Sequence, residues 1–483
     1  MTAKRAGHES AAPDGAADRS SPPDQSAAPG GAVDRSSPPA PAPIRTFRFP
    51  SVSRHVLDNG ITLYVAARGA LPLVTVRAVI DAGAAAEESG EEGLAWLTSS
   101  ALEGGTAQRS GEDLAWEMER LGAGLETYAT WDALTVELTT RSDRVADALA
   151  LLAEVLRQPA FPEREIERMR SEQLAEILRR RTEPRGLADD AAVRSIYDSR
   201  ATYARPVIGN ERQVEAFDAP AVARFHERRF TPGNTAIVMA GAVDVDAAVA
   251  GVERAFGDWR GERTPAPVPT TDARVDRPTV FLVDRASAVQ SELRIGHVGV
   301  ARHDDDYYAL LVLNTVIAGS FTSRLNMTLR EKHGFTYGVR SQFTFRRAAG
   351  PFIIQTAVAS DVTARAVGET LRELRDIREN GVTGEEVAAA RDYLAGTLPL
   401  SMQTTGHIAA RVAELHTFEL DTDYFENWRG RIAAVTPDDV TRVAREHLHT
   451  DRLAIVVVGN AAAIEPDLRE AGIGEIVREG DDS

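Results

Sequence analysis

Two stretches of this chain, 218–241 and 436–459, follow the same pattern of a helix, a short turn, a buried apolar strand and a closing glycine. A constant offset of 218 positions places the apolar triplet 236–238 on the triplet 454–456. A whole helix–strand unit that recurs at one fixed offset indicates a duplicated domain. The ordered part of the chain is therefore predicted to consist of two homologous halves.

Proline-rich segments predict where these halves begin and end. Residues 1–45 are rich in Ala, Pro, Ser and Gly, and we expect them to be disordered because they have too few bulky apolar groups to offset the entropy of ordering. The proline-rich stretch 264–278 is predicted to be a linker. It separates an N-terminal domain, 46–263, from a C-terminal domain, 279–475, and residues 476–483 are predicted to be an acidic tail.

The order of strand and helix patterns predicts the fold class. Residues 63–83 are predicted to form two strands around a Gly/Pro turn, and residues 125–140 a hairpin. Amphipathic helices are predicted at 142–157 and 163–182. Paired strands followed by runs of helices are typical of α+β proteins. We expect each half to be a mostly antiparallel sheet with helices packed on one face.

Composition excludes several classes of function. A net charge of −17 argues against nucleic-acid binding, which requires an excess of basic side chains. The absence of cysteine excludes disulfides, iron–sulfur clusters and thiolate zinc sites. No apolar run is long enough to span a membrane. The sequence leaves the compartment open, and the cytoplasm is favoured because no secretory signal is visible.

Motifs in both halves resemble one protein family. Segment 203–243 contains a P-x-x-G motif that begins at Pro206 and an F-x-P-x-N turn that begins at Phe230, and segment 317–341 contains SRL followed by LRE, Gly and Tyr. These segments resemble the pitrilysin/insulinase-type zinc peptidases, in the branch that includes mitochondrial processing peptidase. The resemblance covers about 46–475 and implies the metallohydrolase fold of the LuxS/MPP type.

The same resemblance locates a degenerate zinc motif. Catalytic members carry G-L-A-H-x-x-E-H, whose histidines bind zinc and whose glutamate is the general base. Here the frame 93–95 is followed by Trp96 and Ser100 at the histidine positions and by Ser99 at the glutamate position. Glu176 remains where the family places its third ligand, and is expected to be a polar helix residue. Because a catalytic zinc site needs three protein ligands, we expect no metal, and no residue catalytic by itself, in this chain.

A different pair of residues is retained. Arg330 and Tyr337 match the family's pair that holds the substrate backbone and donates to the oxygen on which charge develops. A helix over LNMTLRE, ending so that Gly334 lets the chain leave it and Tyr337 begins the next strand, would bring the two side chains to one surface. A phenol and a guanidinium are suitable donors to such an oxygen. The resemblance therefore implies that Arg330 and Tyr337 bind substrate together with a partner subunit.

Two functions remain open at this stage. In the first, the chain is the zinc-free subunit of a heterodimeric metallopeptidase that degrades unfolded peptides, and a homologous partner carrying HxxEH supplies zinc and the base. In the alternative, it is a non-catalytic structural or peptide-binding protein with a peptidase-like fold. Its enzyme status, its substrate sequence and the choice between a homodimer and a heterodimer are left open by the sequence.

Overall fold

A computed structural model describes residues 47–69 and 71–479. The predicted disordered tail, 1–45, and residues 480–483 lie outside the described residues. The strands are β1 (Val52–Val56), β2 (Thr62–Ala67), β3 (Leu73–Ile80), β4 (Gly124–Ala129), β5 (Leu134–Arg141), β6 (Thr235–Gly241), β7 (Thr279–Asp284), β8 (Gln290–Val298), β9 (Val339–Phe343), β10 (Pro351–Ala359), β11 (Ala454–Gly459) and β12 (Glu475–Glu479).

The α-helices are α1 (Leu94–Ala101), α2 (Gly111–Arg120), α3 (Val145–Arg157), α4 (Glu163–Thr182), α5 (Pro184–Ile196), α6 (Glu211–Val214), α7 (Ala219–Arg229), α8 (Val245–Phe256), α9 (Tyr307–Asn314), α10 (Thr363–Asn380), α11 (Gly384–Thr397), α12 (Thr405–Thr417), α13 (Tyr424–Ala434), α14 (Pro437–His447) and α15 (Ala461–Glu470). Two further segments, Thr315–Gly319 and Asn326–Lys332, have the wider turns of a π-helix. In the described part of the chain, no helix is both long and apolar enough to cross a membrane.

The two sheets have the same strand arrangement except at one outer strand, because β1 is antiparallel and β12 parallel to its neighbour. The first has the order β1-β2-β6-β3-β5-β4 and the second β12-β7-β11-β8-β10-β9. β2 pairs parallel with β6, and β7 pairs parallel with β11 and β12, whereas the other neighbours are antiparallel. The expected α+β fold of two halves with mostly antiparallel sheets is therefore confirmed.

The repeat found in the sequence occupies equivalent places in the two halves. α7 and α14 start and end 218 positions apart, at Ala219–Arg229 and Pro437–His447. Each leads into a buried central strand, β6 or β11, that lies between one parallel and one antiparallel neighbour. The constant offset that predicted the duplication therefore has a structural basis: each repeated strand is the buried, central strand of its sheet.

Each half also contributes a helix that covers the other half's sheet. α5, from the first half, lies on β8 and β11, and α12, from the second half, lies on β2, β3 and β6. The Arg294 side chain on β8 is only 3% exposed and its Nε donates to Asp189 on α5 at 2.6 Å. The hydroxyl oxygens of Thr75 on β3 and Thr405 on α12 are 2.8 Å apart. The halves are thus interlocked by packing as well as joined by the chain.

The C-terminal boundary differs from the sequence prediction. Residues 476–479, assigned to an acidic tail, belong to β12, which pairs parallel with β7. Ile476 and Val477 are partly buried there, which a run dominated by charged residues does not suggest. The stretch 264–278 contains neither helix nor strand apart from one bridge between Ala273 and Tyr197.

Candidate functional site

α1 carries the positions at which the resemblance places a zinc motif. Trp96 is partly buried and faces a cavity, whereas Ser99 is buried inside the domain. The Ser99 hydroxyl donates to the Trp96 carbonyl at 2.7 Å, and the Ser100 hydroxyl donates to the same carbonyl at 3.4 Å. Both hydroxyls are therefore satisfied by the backbone of their own helix, as is common for serine within helices.

A close backbone crossing fixes the start of α1. Gly93 has φ of 100°, and a Cβ built on it would lie 2.7 Å from the Ile208 carbonyl oxygen. Gly209 has φ of 77°, and its Cβ would lie 2.2 Å from the Glu92 carbonyl oxygen. The Gln173 amide on α4 donates to the carbonyls of Gly93 and Ile208 at 3.0 and 2.8 Å. Glycine is required in both motifs because the two chain segments touch there.

The Glu87 side chain forms hydrogen bonds with the N-terminal backbone of the same helix, α1. Its Oε1 accepts hydrogen bonds from the backbone N–H groups of Gly93, at 3.1 Å, and Ala95, at 2.8 Å. Burial raises the pKa of this carboxyl well above its ordinary value, the two hydrogen bonds oppose that rise, and the charges of Glu92 and Glu91 add to it. Among the described residues, the Glu87 Oε2 atom has no hydrogen-bond partner. Glu87 therefore caps the helix that presents Trp96.

Glu176 lies on α4 and faces the same cavity as Trp96. Its carboxylate pairs with Arg179, one turn along the helix, at 2.6 Å. The hydrogen bond from Arg179 lowers the pKa of Glu176, against a smaller rise from burial. This matches the expectation of a polar helix residue.

The side chains at these positions do not provide the ligands of a zinc site. An indole N–H is a donor only, and the two serine hydroxyls are used within the helix. Glu176 alone offers a carboxylate, whereas zinc in a catalytic site takes three protein ligands of the histidine, cysteine or carboxylate type. Across the described residues, the one cluster with metal-ligand spacing is elsewhere, at Asp304, Asp306 and His447. There the Asp306 carboxylate already accepts two hydrogen bonds from Arg442, at 2.5 and 3.0 Å.

A cavity of about 890 Å³, hereafter the central cavity, lies between the two halves. It takes in the α1 face with Trp96, the turn after β4 and the loop after β9. Its lining is mainly apolar and includes several carboxylates and two arginines; the residues are Trp96, Ala129, Thr130, Trp131, Asp132, Glu176, Arg180, Asp189, Asp190, Val193, Pro206, Val207, Ile208, Thr344, Phe345, Arg346 and Phe418. This volume is typical of ligand sites in proteins.

The loop that follows β9 closes the central cavity against the first half. The Arg346 guanidinium lies over the rings of Trp131 and Tyr203, at 3.6 and 4.7 Å from their centroids. The backbone N–H of Arg347 donates to Asp132 at 3.1 Å, and the Arg347 side chain forms an ion pair with Asp81. The loop is therefore held by contacts across the two halves.

Both sheets present an open edge strand next to the central cavity. β4 is the outer strand of the first sheet, and the cavity lining begins at its last residue, Ala129. β9 is the outer strand of the second sheet, and the lining resumes at Thr344, one residue after β9 ends. An edge strand has backbone N–H and C=O groups outside the hydrogen bonds of its own sheet, to which an extended peptide can add as a further strand. At the start of β9 these groups of Val339 are already bonded to the Asn326 side chain, so an added strand would pair with the residues that follow.

Arg330 and Tyr337 both belong to the second half, where Arg330 is partly buried and Tyr337 is exposed, and their predicted meeting on one surface stays a prediction. The predicted helix is present, with π-type turns over Asn326–Lys332, and Gly334 leaves it with φ of 64°, as predicted. The Arg330 guanidinium carbon lies 4.1 Å from the ring centroid of Phe321, which is itself exposed. The Tyr337 side chain is 96% exposed. No hydrogen bond of its phenol occurs within the described part of the chain.

The prediction that Tyr337 begins the next strand is wrong. β9 begins at Val339, and Tyr337 belongs to the turn before it. The cause is Asn326, whose side chain accepts from the Val339 N–H at 3.2 Å and donates to the Val339 carbonyl at 3.0 Å. These bonds fix where the strand begins and leave Tyr337 projecting from the turn.

Arg346, Trp131 and Tyr203 were not singled out by sequence reasoning. They lie in loops and in a short connecting turn, where no periodicity marks a side chain as special. Only their mutual contacts reveal them.

Comparison with known proteins agrees with the fold, which is that of an insulinase-type peptidase-like protein. The chain belongs to peptidase family M16. Residues 66–209 match the profile of "Insulinase (Peptidase family M16)", and residues 216–394 match that of "Peptidase M16 inactive domain".

Several curated relatives are similar over most of their length. An uncharacterized zinc protease of Streptomyces coelicolor is 27% identical over 365 residues, which are 74% of this chain and 78% of the relative. An uncharacterized zinc protease of Mycobacterium tuberculosis is 27% identical over 411 residues, which are 84% of this chain and 92% of the relative.

Solved structures share the fold. A peptidase M16 inactive domain from Pseudomonas fluorescens superposes with a TM-score of 0.79 at 25% identity, covering 85% of this chain and 98% of that one. A protease from Helicobacter pylori superposes equally well, with a TM-score of 0.79 at 17% identity, covering 85% of this chain and 99% of that one. The likeness at 17% identity establishes the fold alone.

Proposed function

We propose that this chain is the zinc-free subunit of a heterodimeric peptidase of the mitochondrial-processing-peptidase-like branch, and that it acts on unfolded peptides. The partner is a homologous chain carrying HxxEH, which supplies zinc and the general base. This chain supplies Arg330 and Tyr337, which bind the substrate backbone and stabilise the developing oxyanion.

One observation carries the proposal: the side chains at the zinc-motif positions cannot bind a metal, whereas the substrate-binding Tyr337 is free to donate. The α1 positions hold an indole and two hydroxyls that bond to their own helix. Tyr337, by contrast, keeps an exposed phenol with no hydrogen-bond partner in the described residues. A donor that acts on a substrate held by another subunit must be free in this way. A chain that lacks the metal ligands but keeps a free donor favours an active site that a second chain completes.

Peptide binding itself is supported by the central cavity and the two open edges. β4 and β9 end at the cavity, so an extended peptide added to either edge would reach it. Strand addition reads the backbone of the peptide more than its side chains. We therefore propose that the substrates are unfolded peptides and not folded proteins.

A mixing experiment tests the proposal. This chain, a homologous HxxEH-bearing chain from the same organism, and their mixture are assayed for cleavage of unfolded fluorogenic peptides. We expect cleavage by the mixture that exceeds the sum of the separate chains. Cleavage by this chain alone contradicts the proposal, and so does a mixture that cleaves no faster than the separate chains. If mixing gives no gain, the chain has a structural role, and substitutions at Arg330 and Tyr337 should change assembly rather than any rate.

Tyr337→Phe in the mixture assigns the role of the phenol. Loss of one oxyanion donor lowers turnover by about 10²–10³. The matched control is Tyr393→Phe, another exposed tyrosine of the second half, on α11. We expect the control to keep full activity and both variants to keep the zinc content of the mixture.

A further inference from the structure

Arg346 is a buried cation without a polar side-chain partner among the described residues. Only 5% of the residue is exposed, its Nη1 atom has no hydrogen-bond partner, and its side chain forms no ion pair or hydrogen bond in the described part of the chain. Rings of Trp131 and Tyr203 hold the guanidinium in place. Burial lowers the pKa of Arg346, and electrostatic interactions with Tyr197, Tyr203 and Asp132 oppose that effect. Taking a charge out of water without hydrogen bonds is unfavourable, so a bound anion would stabilise this arrangement.

The carboxylates around the central cavity are already engaged. Asp132 accepts a hydrogen bond from the Tyr203 hydroxyl at 2.6 Å and one from the Arg347 backbone N–H at 3.1 Å. The remaining three form ion pairs within the fold; these pairs are Glu176 with Arg179, Asp190 with Arg180, and Asp189 with Arg294. Of the charged residues in this lining, Arg346 is thus the one whose side chain has neither a hydrogen bond nor an ion pair in the described part of the chain.

The rest of the lining selects the kind of anion. Trp96, Val193, Ile208, Phe345 and Phe418 surround the polar groups and form a mainly apolar wall. A guanidinium presents a planar fork of donors that matches a carboxylate. A phosphate group carries more negative charge and would be repelled by the acidic groups in the same lining. The chemistry therefore fits one carboxylate attached to an apolar group.

Resting on the proposed function that the chain binds peptides, we infer that Arg346 binds the C-terminal carboxylate of a peptide whose last, apolar side chain occupies the central cavity. The site would then favour fragments with a free C-terminus over internal stretches of a longer chain. Arg346 is a specificity residue in this arrangement, since it contacts the peptide end and not the scissile bond.

The test compares two forms of one peptide on the full chain. An octapeptide ending in Phe, labelled with fluorescein at its N-terminus, is prepared as the free acid and as the carboxamide, and binding is followed by fluorescence anisotropy. A hydrogen bond to a charged group contributes roughly 1.5–3 kcal/mol, so we expect the acid to bind about tenfold or more tightly than the amide.

Variants test whether Arg346 causes the preference for the free acid. Arg346→Met keeps an apolar stem against Trp131 and removes the charge, so we expect it to abolish the preference, and the acid and the amide should then bind equally. Arg346→Lys should keep part of the preference, because an ammonium retains the charge but not the fork. Arg277→Met, which removes an exposed arginine paired with Glu475 at 3.3 Å, is the control for net charge and should keep the full preference.

The outcomes separate this inference from the proposed function. Equal binding of acid and amide to the unaltered chain overturns the inference and leaves peptide binding intact. Binding of neither form contradicts peptide binding itself. A preference for the acid that persists in a folded Arg346→Met chain also overturns the inference. The comparison on the unaltered chain holds even if a variant does not fold.

Discussion

The guanidinium carbon of Arg346 lies 3.6 Å from the ring centroid of Trp131, and the two residues come from opposite halves of the chain. Trp131 follows β4, the outer strand of the first sheet, and Arg346 follows β9, the outer strand of the second. A cation–π contact shielded from water contributes about 2 kcal/mol. The contact therefore ties together the ends of the two open edges beside the central cavity.

Replacing Trp131 should destabilise the joined halves. Trp131→Leu removes the ring beneath Arg346 and the indole donor that bonds to the Arg205 carbonyl at 3.0 Å. Because Trp131 is only partly buried, we expect a loss of about 2–3 kcal/mol in the free energy of unfolding, at the lower end for a large aromatic. Urea denaturation measures it. Trp116→Leu on α2, where the indole is 66% exposed, should change stability by less than about 0.5 kcal/mol; equal losses in the two variants would refute the role given to Trp131.

Zinc content tests the degenerate motif directly. Positions 96 and 100 are four residues apart on α1 and therefore share a helix face. We expect the unaltered chain to retain no zinc after dialysis, and Trp96→His/Ser100→His to gain about one zinc per chain, with Glu176 as the third ligand. Elemental mass spectrometry measures the content, and Trp96→Phe/Ser100→Ala is the control without new ligands. One zinc per unaltered chain would overturn the zinc-free proposal.

Much of the fold could be predicted because the signals are local or repeated. The fixed offset between the two repeats corresponds to equivalent helices, α7 and α14, since each precedes the central strand of its own sheet. The frame at residues 93–95 located the degenerate motif correctly on one helix, α1, and glycine is demanded at its start by a positive φ and a close backbone contact.

The rest could not be predicted because it depends on distant contacts. The significance of Arg346 arises from Trp131 and Tyr203, which are far away in sequence. The start of β9 was misplaced because the side chain of Asn326, thirteen residues earlier, fixes it. The exchange of α5 and α12 between the halves has no local signature either, since a helix's apolar face does not say which sheet it will cover.

Acid should weaken the attachment of the Arg330-bearing segment to α11. Arg324 donates to Glu386 at 2.5 and 2.9 Å. Burial raises the pKa of Glu386, but the bonds from Arg324 and Thr383 outweigh burial and hold that pKa at about 2. The stabilisation is therefore complete above the ordinary pKa of 4.5 and is lost as the pH falls from there through 2.

Glu386→Gln should accordingly lower the free energy of unfolding by about 1–2 kcal/mol at pH 7, after allowance for partial exposure of the pair. The difference from the unaltered chain should shrink as the pH is lowered from 4.5 to 3. Denaturation curves across this range measure it. Glu385→Gln is the control, because Glu385 is an exposed neighbour on the same helix turn; a constant difference at every pH would contradict the ion-pair explanation.

Glu87 should give a pH dependence of the opposite sign. Because burial raises its pKa, the folded chain keeps a proton that the unfolded chain releases. The contribution to stability is therefore present below the ordinary pKa of 4.5 and is lost as the pH rises through the higher pKa of the folded state.

Glu87→Gln keeps the oxygen that accepts from Gly93 and Ala95 but cannot ionise. We expect this variant to be more stable than the unaltered chain at pH 8, with the difference vanishing toward pH 5. Thermal unfolding at pH 5, 6.5 and 8 measures it, and the exposed Glu88→Gln should show no such trend. Since the two chains share every other titratable group, the difference between them isolates Glu87, and a variant that is less stable at pH 8 would show that the carboxylate is ionised in the folded state.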